Sequence, residues 1–293
     1  MNNWDEIRTA YLVARLGTVS GAAEVLGVHH ATVIRHVDAL EKRLGTKLFQ
    51  RHARGYAPTE AGRDLMGVAD TAEGQFTQMV SRIKGLGDHV TGELVITSIA
   101  GIAPLVMPVL ATFQAEHPGV RIRYLSDMRL FRLEQGEAHV AIRAGGAPKE
   151  PDYVVQALAK LSVGLYASAG YVEKHGRPAG IDDMARHRFI GTDTRDSRAP
   201  CYVWLRDHVP EANIVFRASE VVSVLPAVRA GMGIGFVRPS EAEADPALVE
   251  IMPPEPEWAS QLWAVTHVDL HRTLKVQKFL AHLKTAAAGW SDL

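Results

Sequence analysis

Near Gly92 the hydrophobic period of this chain changes, and the change limits what it can fold into. Before that point apolar residues recur three or four positions apart, the repeat of amphipathic helices. After it, short apolar runs alternate with helical stretches. The first third is therefore expected to be helical and the rest to build an α/β sheet structure.

The helical part is punctuated by glycines. Trp4, Ile7, Tyr11 and Ala14 share one face, and Gly17 ends that element. Ser20 is expected to cap a second helix running to Leu26, closed by Gly27. A third helix is predicted from about Ala31 to Leu44, with Val33, Val37, Leu40 and Leu44 facing inward and Gly45 stopping it. Lys47–Gln50 and Tyr56–Ala57 read as short strands around a turn at Arg51–Gly55. From Thr59 a long helix follows, in which Leu65, Ala69, Ala72, Phe76, Met79, Ile83 and Leu86 form a heptad seam that Gly85, Gly87 and Gly92 end. The seam includes two alanines, and Gly67 and Gly74 lie inside the helix, so packing against a partner's helix suits it better than a self-sufficient coiled coil. A helix lying on its own domain is the alternative.

Beyond Gly92 the order is strand Leu94–Thr97, helix from about Ala103 to Glu116, strand Val120–Leu125, short helix Leu130–Gln135 and strand His139–Arg143. This βαβαβ order predicts a mostly parallel sheet with right-handed crossovers. Strands are also expected at Leu161–Ala167, Arg188–Gly191, Ile214–Arg217, Ile234–Val237 and Gln261–Thr266, and helices at Glu220–Ala230 and Leu274–Ala287. Such a stretch can form one domain or two lobes. Leu94 to Phe113 is apolar enough to suggest a membrane span, but Thr97, Ser98, Gly101, Pro104 and Pro108 interrupt it. No membrane partner is expected.

Helix, cap, helix, glycine turn, helix is the order of a helix-turn-helix unit. The predicted third helix carries Thr32, Arg35, His36 and Ala39 opposite its apolar face, and small residues at its start allow close approach to base edges. Arg35 has the fork geometry for guanine, and Thr32 or His36 can add single hydrogen bonds. Arg51 and Arg54, placed at the tip of the β-turn, are positioned for phosphate or the minor groove. A small structural three-helix bundle with a solvated polar face is the bland alternative.

Composition at first argues against DNA, since 32 Lys+Arg against 33 Asp+Glu leave the 293 residues at −1. The distribution reverses that argument. Between Val28 and Arg63 seven basic residues (Arg35, Lys42, Arg43, Lys47, Arg51, Arg54, Arg63) face three acids (Asp38, Glu41, Glu60), a local +4 on a remainder of −5. A basic patch on an acidic body is what salt-dependent DNA contact requires.

Residues Gly17 to Gly62, GTVSGAAEVLGVHHATVIRHVDALEKRLGTKLFQRHARGYAPTEAG, resemble the DNA-binding domain of the LysR-type transcriptional regulators. Leu105 to Ile122 and His139 to Gly145 are similar to the first lobe of that family's effector domain, and Val221 to Pro239 to its second lobe. The resemblance implies an α+β multi-domain chain: an N-terminal winged helix-turn-helix (1–62), a long dimerising linker helix (63–90) and a two-lobed, periplasmic-binding-protein-like α/β effector domain (91–293). Lobe I would comprise 91–163 and 266–293, and lobe II 164–265. It also implies a homodimer or homotetramer on double-stranded operator or promoter DNA, a small-molecule effector between the lobes and contact with RNA polymerase. The chain departs from the family at the head of the recognition helix, where His29, His30, Ala31 and Thr32 replace the usual Ser-Gln start. Histidine is a poorer N-cap than serine. His29 or His30 is expected to make a base or phosphate contact, so the DNA-facing set is His29, His30, Thr32, Arg35, His36, Arg51 and Arg54.

By the same resemblance the effector sits at strand ends and helix starts. The expected residues are Ser98, Ile99, Gly101 and Ile102 after the first strand, with Asp127, Thr192, Asp193, Ser219 and Phe236. The Ser98 hydroxyl and the free amides beside it suit a carboxylate.

Other constellations carry less. Gly231, Gly233 and Gly235 follow a helix and precede a strand, the reverse of a dinucleotide fingerprint. His267 and His271 lie at a strand end without a shared helical face, and His29, His30, His36 and His52 serve a DNA face better than zinc, so no metal is expected. Cys201 is the only cysteine and has no resolving partner. That single cysteine and the lack of a basic-then-apolar leader point to the cytoplasm. Paired carboxylates, a Ser/His/Asp order and a phosphate loop are missing from the sequence, so neither an enzyme nor a cofactor is expected.

Overall fold

A computed structural model describes residues 4–52, 55–83, 90–127, 129–194 and 196–290. The head comprises α1 (Trp4–Leu16), α2 (Val19–Leu26), α3 (His30–Leu44) and a hairpin of β1 (Phe49–His52) with β2 (Gly55–Pro58). Tyr11, Leu12, Val33, Val37, Leu40 and Leu48, each no more than 2% exposed, make its core. Thr18 rather than Ser20 caps α2: its backbone is extended and its Oγ1 accepts from Gly21 N at 3.2 Å, while Ser20 lies inside the first turn. Left-handed Gly27 and Gly45 close α2 and α3 as the sequence predicts. Leu44 is 46% exposed, and the inward position goes to Glu41, at 3%. The hairpin seats on the end of α1 where Tyr56 N donates to Gly17 O at 2.8 Å, and a Cβ at Gly55 would meet that oxygen at 2.4 Å.

α4 (Glu60–Ile83) splits the predicted seam. Leu65, Met66 and Ala69 pack into the head's core. Phe76, Met79 and Val80 are 50%, 42% and 41% exposed, and Phe76 meets Trp4 edge-on at 5.3 Å. Leu86, Gly85 and Gly87 lie outside the described residues. Gly67, unexplained by helix propensity, has a packing reason. There α4 crosses the short 3-10 turn Leu133–Gln135, so closely that a Cβ on the following Gly136 would come within 2.8 Å of Gly67 Cα.

The remaining elements follow in order: β3 (Gly92–Ser98), α5 (Ala103–Glu116), β4 (Val120–Ser126), β5 (Val140–Ala144), β6 (Tyr153–Leu161), β7 (Gly164–Ser168), α6 (Ala169–His175), β8 (Phe189–Thr192), α7 (Pro200–His208), β9 (Ile214–Ala218), α8 (Val224–Arg229), β10 (Gly235–Val237), α9 (Pro239–Glu243), β11 (Leu248–Met252), β12 (Ser260–His267), α10 (Val268–His271) and α11 (Leu274–Ala287). Lobe I is the sheet β4-β3-β5-β12-β6. β4, β3 and β5 run parallel, but β12 is antiparallel to both β5 and β6, so the sheet is mixed. Lobe II holds β10-β7-β11 and the parallel pair β8-β9, joined through a Phe189–Ile234 bridge.

The chain crosses between lobes twice. The expected strand Leu161–Ala167 is really the end of β6 and the start of β7, separated only by Ser162 and Val163. The return runs from β11 to β12 through Pro253, Pro254 and Pro256, with Trp258 buried against Trp204 and Phe236 of lobe II. Because β12 belongs to the lobe I sheet, this crossing precedes Ser260 rather than falling at 265–266. Among the described residues, no helix is long and apolar enough to cross a membrane.

Candidate nucleic-acid interface and effector cleft

α3 presents an outer face of His30, Ala31, Ile34, Arg35 and Asp38, all exposed. This is the helix positions i, i+1, i+4, i+5 and i+8, turned about one residue from the predicted face. Thr32 and Ala39 are half-buried at its edge. The Arg35 guanidinium has no partner among the described residues. His36 turns instead to α1, where its Nδ1 lies 3.0 Å from Thr9 Oγ1. His29 caps α3, its Nδ1 accepting from Ala31 N at 3.3 Å, so histidine fills the serine's place.

Arg51 sits on β1 rather than at the tip, bonded to Asp38, 3.4 Å from Glu41 Oε2 and over the Tyr56 ring at 5.2 Å. Arg54 lies outside the described residues. Glu41, which hydrophobic patterning passes over, ties the hairpin to the recognition helix. Its Oε1 accepts from Leu48 N at 2.9 Å and Phe49 N at 3.2 Å, and its Oε2 pairs with Lys47 at 2.6 Å. Burial pushes this carboxyl up, but the Lys47 ammonium and the two amides outweigh it and hold it below the ordinary glutamate value.

Between the lobes lies a cavity of about 440 Å³. Thr97, Ser98 and Ile99 floor it from the end of β3, Asp127 and Arg129 to Phe131 wall one side, Arg143 lies near the end of β5, and Arg198 reaches in from lobe II. The Ser98 hydroxyl donates to Ile99 O at 3.0 Å and receives the Tyr124 hydroxyl, so it offers no spare proton. Arg129 is held by Glu137 at 2.8 Å, and Arg143 donates to Phe131 O at 3.2 Å.

A family model described as Bacterial regulatory helix-turn-helix protein, lysR family, matches residues 4–63, and one described as LysR substrate binding domain matches residues 87–288. The chain is a LysR-family transcriptional regulator. It joins a helix-turn-helix DNA-binding domain to an effector-binding domain. The regulator is 26% identical over 289 residues to an HTH-type transcriptional repressor of Pseudomonas aeruginosa, across 96% of this chain and 90% of that one. It is also 26% identical over 299 residues to the HTH-type transcriptional activator TtdR of Escherichia coli K12, across 96% and 94%. Among solved structures, ArgP of Mycobacterium tuberculosis superposes with a TM-score of 0.73 at 18% identity, covering 98% of this chain and 97% of that one. CrgA of Neisseria meningitidis gives 0.60 at 22%, covering 98% and 99%.

The fold gathers only part of the expected effector set in the regulator's cleft. Ser98, Ile99 and Asp127 line it. Gly101 abuts lobe II directly, where an added Cβ would meet Val221 Cγ1 at 2.3 Å. Ile102 is 3% exposed in the lobe I core, and Phe236 packs among Tyr202, Trp204 and Trp258 in the lobe II core; neither lines this cavity. Thr192 lines a separate lobe II cavity of about 400 Å³ with Tyr202, Glu211 and Arg217. Asp193 and Ser219 are exposed and line neither cavity. Arg129, Arg143 and Arg198 bring cations to the cavity. Arg143 had a signal, a charge at the end of a predicted strand; Arg198 sits in a loop with no period to mark it. The Cys201 thiol is buried and pushed up to about 11 by that burial, which keeps it protonated and a poor nucleophile. Among the described residues no group of three metal-ligating side chains converges.

Proposed function

We propose that this regulator reads a partly palindromic operator as a homodimer or a dimer of dimers, with Arg35 as its principal base-reading side chain and His30 beside it. The observation that carries this is the exposed outer face of α3, where Arg35 has no partner among the described residues and lies within a local +4 patch. The exposed seam residues Phe76 and Met79, with Val80 exposed beside them, support pairing through a partner's α4. The boundaries proposed are a head to residue 62, a linker helix to about 90 and a two-lobed sensor beyond. A small carboxylate with an apolar body suits the cleft: Arg143 and Arg198 offer charge, and Ile99, Leu130 and Phe131 offer apolar surface. Its binding would shift the two heads and so alter DNA bending or polymerase contact, in the cytoplasm and without catalysis.

The test uses DNA fragments selected from a random pool by the wild-type chain. Arg35→Ala should weaken binding to them by about 5- to 150-fold, equivalent to about 1–3 kcal/mol for a bidentate guanine contact, with circular dichroism unchanged. Full retention of affinity by the folded variant overturns the assignment.

A further inference from the structure

One carboxylate joins the three parts of this chain. Asp70, on α4, accepts through Oδ1 from the Tyr11 hydroxyl of α1 at 2.8 Å. Its Oδ2 lies 3.0 Å from His139 Nε2, at the start of β5, and 3.4 Å from Lys275 Nζ of α11. His139 has its tautomer set from behind: its Nδ1 accepts from Val95 N at 2.8 Å, so the ring proton sits on Nε2 and is donated to Asp70. Lys275 is anchored in turn by Glu93 O at 2.8 Å. Tyr11, His139 and Lys275 are 2%, 5% and 8% exposed, so all three donors are fixed in cores before they meet the carboxylate.

Among the described residues, no hydrophobic cluster spans the head and the sensor. The close approach of Gly67 to Gly136 is a backbone contact between two glycines. Next to the cluster lies a polar cavity of about 610 Å³, with Arg15, Glu73, Arg121 and Arg123 on its walls. A contact without directional bonds, beside a polar cavity, can slide. His139 and Lys275 tie the carboxylate to the sensor while Tyr11 ties it to the head, and these directional bonds restrict the angle more than such a contact does.

We propose that Asp70 is the positioning residue that locks the DNA-reading head to the effector-binding domain and sets the angle between them. The angle fixes where the head is presented. In a dimer, which the proposed function assumes, that sets the distance between the two reading helices. The lock itself belongs to one chain and can be measured there, whatever the operator or effector.

The test is a distance distribution by pulsed electron paramagnetic resonance in the full-length protein. Spin labels are placed at Glu24→Cys on α2 and Lys160→Cys on β6, both exposed sites, in a Cys201→Ala background. Labelled chain is diluted into excess unlabelled chain, so only the intrachain pair is read. The unsubstituted chain should show one narrow distance. Asp70→Asn, which keeps the side chain's shape, should shift that distance or make it roughly twofold broader while circular dichroism stays the same. Asp64→Asn, an exposed carboxylate on the same helix, should change nothing. A narrow, unmoved peak in Asp70→Asn overturns the proposal, as does equal broadening in Asp64→Asn, which would mean general loosening of the helix. If Arg35→Ala fails to affect DNA binding, the reading-face assignment falls and this measurement stands.

Discussion

Glu41 offers the sharpest test of how the head is held together. Its Oε1 alone accepts both hairpin amides, Leu48 N and Phe49 N, while its Oε2 faces Lys47 and Arg51. The two oxygens therefore have separable duties. Glu41→Ala strips the acceptor from two buried amides, each worth about 1–3 kcal/mol when left unsatisfied. The Lys47 pair adds little, because its ammonium is 70% exposed. We expect a loss of about 3 kcal/mol, which accelerates hydrogen exchange at the Leu48 and Phe49 amides by roughly 150-fold. Glu41→Gln can keep its carbonyl oxygen on both amides and lose only the charge, so it should accelerate exchange by roughly tenfold or less. Hydrogen–deuterium exchange with peptide-level mass spectrometry over residues 46–52 reads both. If the alanine variant exchanges no faster than the glutamine variant, the carboxylate does not pin the hairpin and the argument fails. The native contribution should also be pH-dependent. The folded carboxyl sits below its ordinary value, so its stabilisation is full above about 4.3 and fades as pH falls through that value towards the folded one.

Two further outcomes follow from the same physics. His29→Ser should stabilise the head by about 0.5–1 kcal/mol, because a serine hydroxyl is a better N-cap than an imidazole; a lower melting temperature would contradict the capping role. His139, faced by Asp70, Lys275 and Glu93, is held below its ordinary value of 6.5 chiefly by burial. The unfolded ring therefore takes up a proton first as pH falls, and stability should decline below about 6.5. Denaturant titrations between pH 7.5 and 5 should show a smaller decline in His139→Gln than in the unsubstituted chain, and parallel curves would remove His139 from the account. Asp70 does not blunt this window: burial raises its carboxyl, but the His139 bond, Lys275 and Tyr11 outweigh that and hold it well below the usual carboxylate range.

What could be read from the residues was whatever depends on local spacing. The glycines after α1, α2 and α3 marked helix ends, and α5 and α11 fell where their apolar repeats placed them. Side-chain direction at the site was less legible. Leu44 was expected inside because it continues a repeat, yet Glu41 takes the buried place, since its partners are backbone amides seven and eight residues further on. His36 was expected outside because it is polar, but Thr9, 27 residues earlier, draws it in. In the sensor, all three residues of β10 are buried, so alternation gave no clue that Phe236 faces the core. Thr192 ends a strand as expected, but lines the other cavity. Both sites are assembled from contacts distant in sequence, which periodicity cannot encode.

The two crossings between the lobes also constrain how a ligand can act. One is a two-residue link, Ser162 and Val163, and the other is stiffened by three prolines and nailed to lobe II through Trp258. Two short crossings, one of them with its backbone restricted by prolines, limit how far the lobes can twist or slide against each other. Gly101 is already seated on Val221, so the lobes touch at that edge of the cleft. A ligand entering the cleft therefore meets lobes already in contact at one edge.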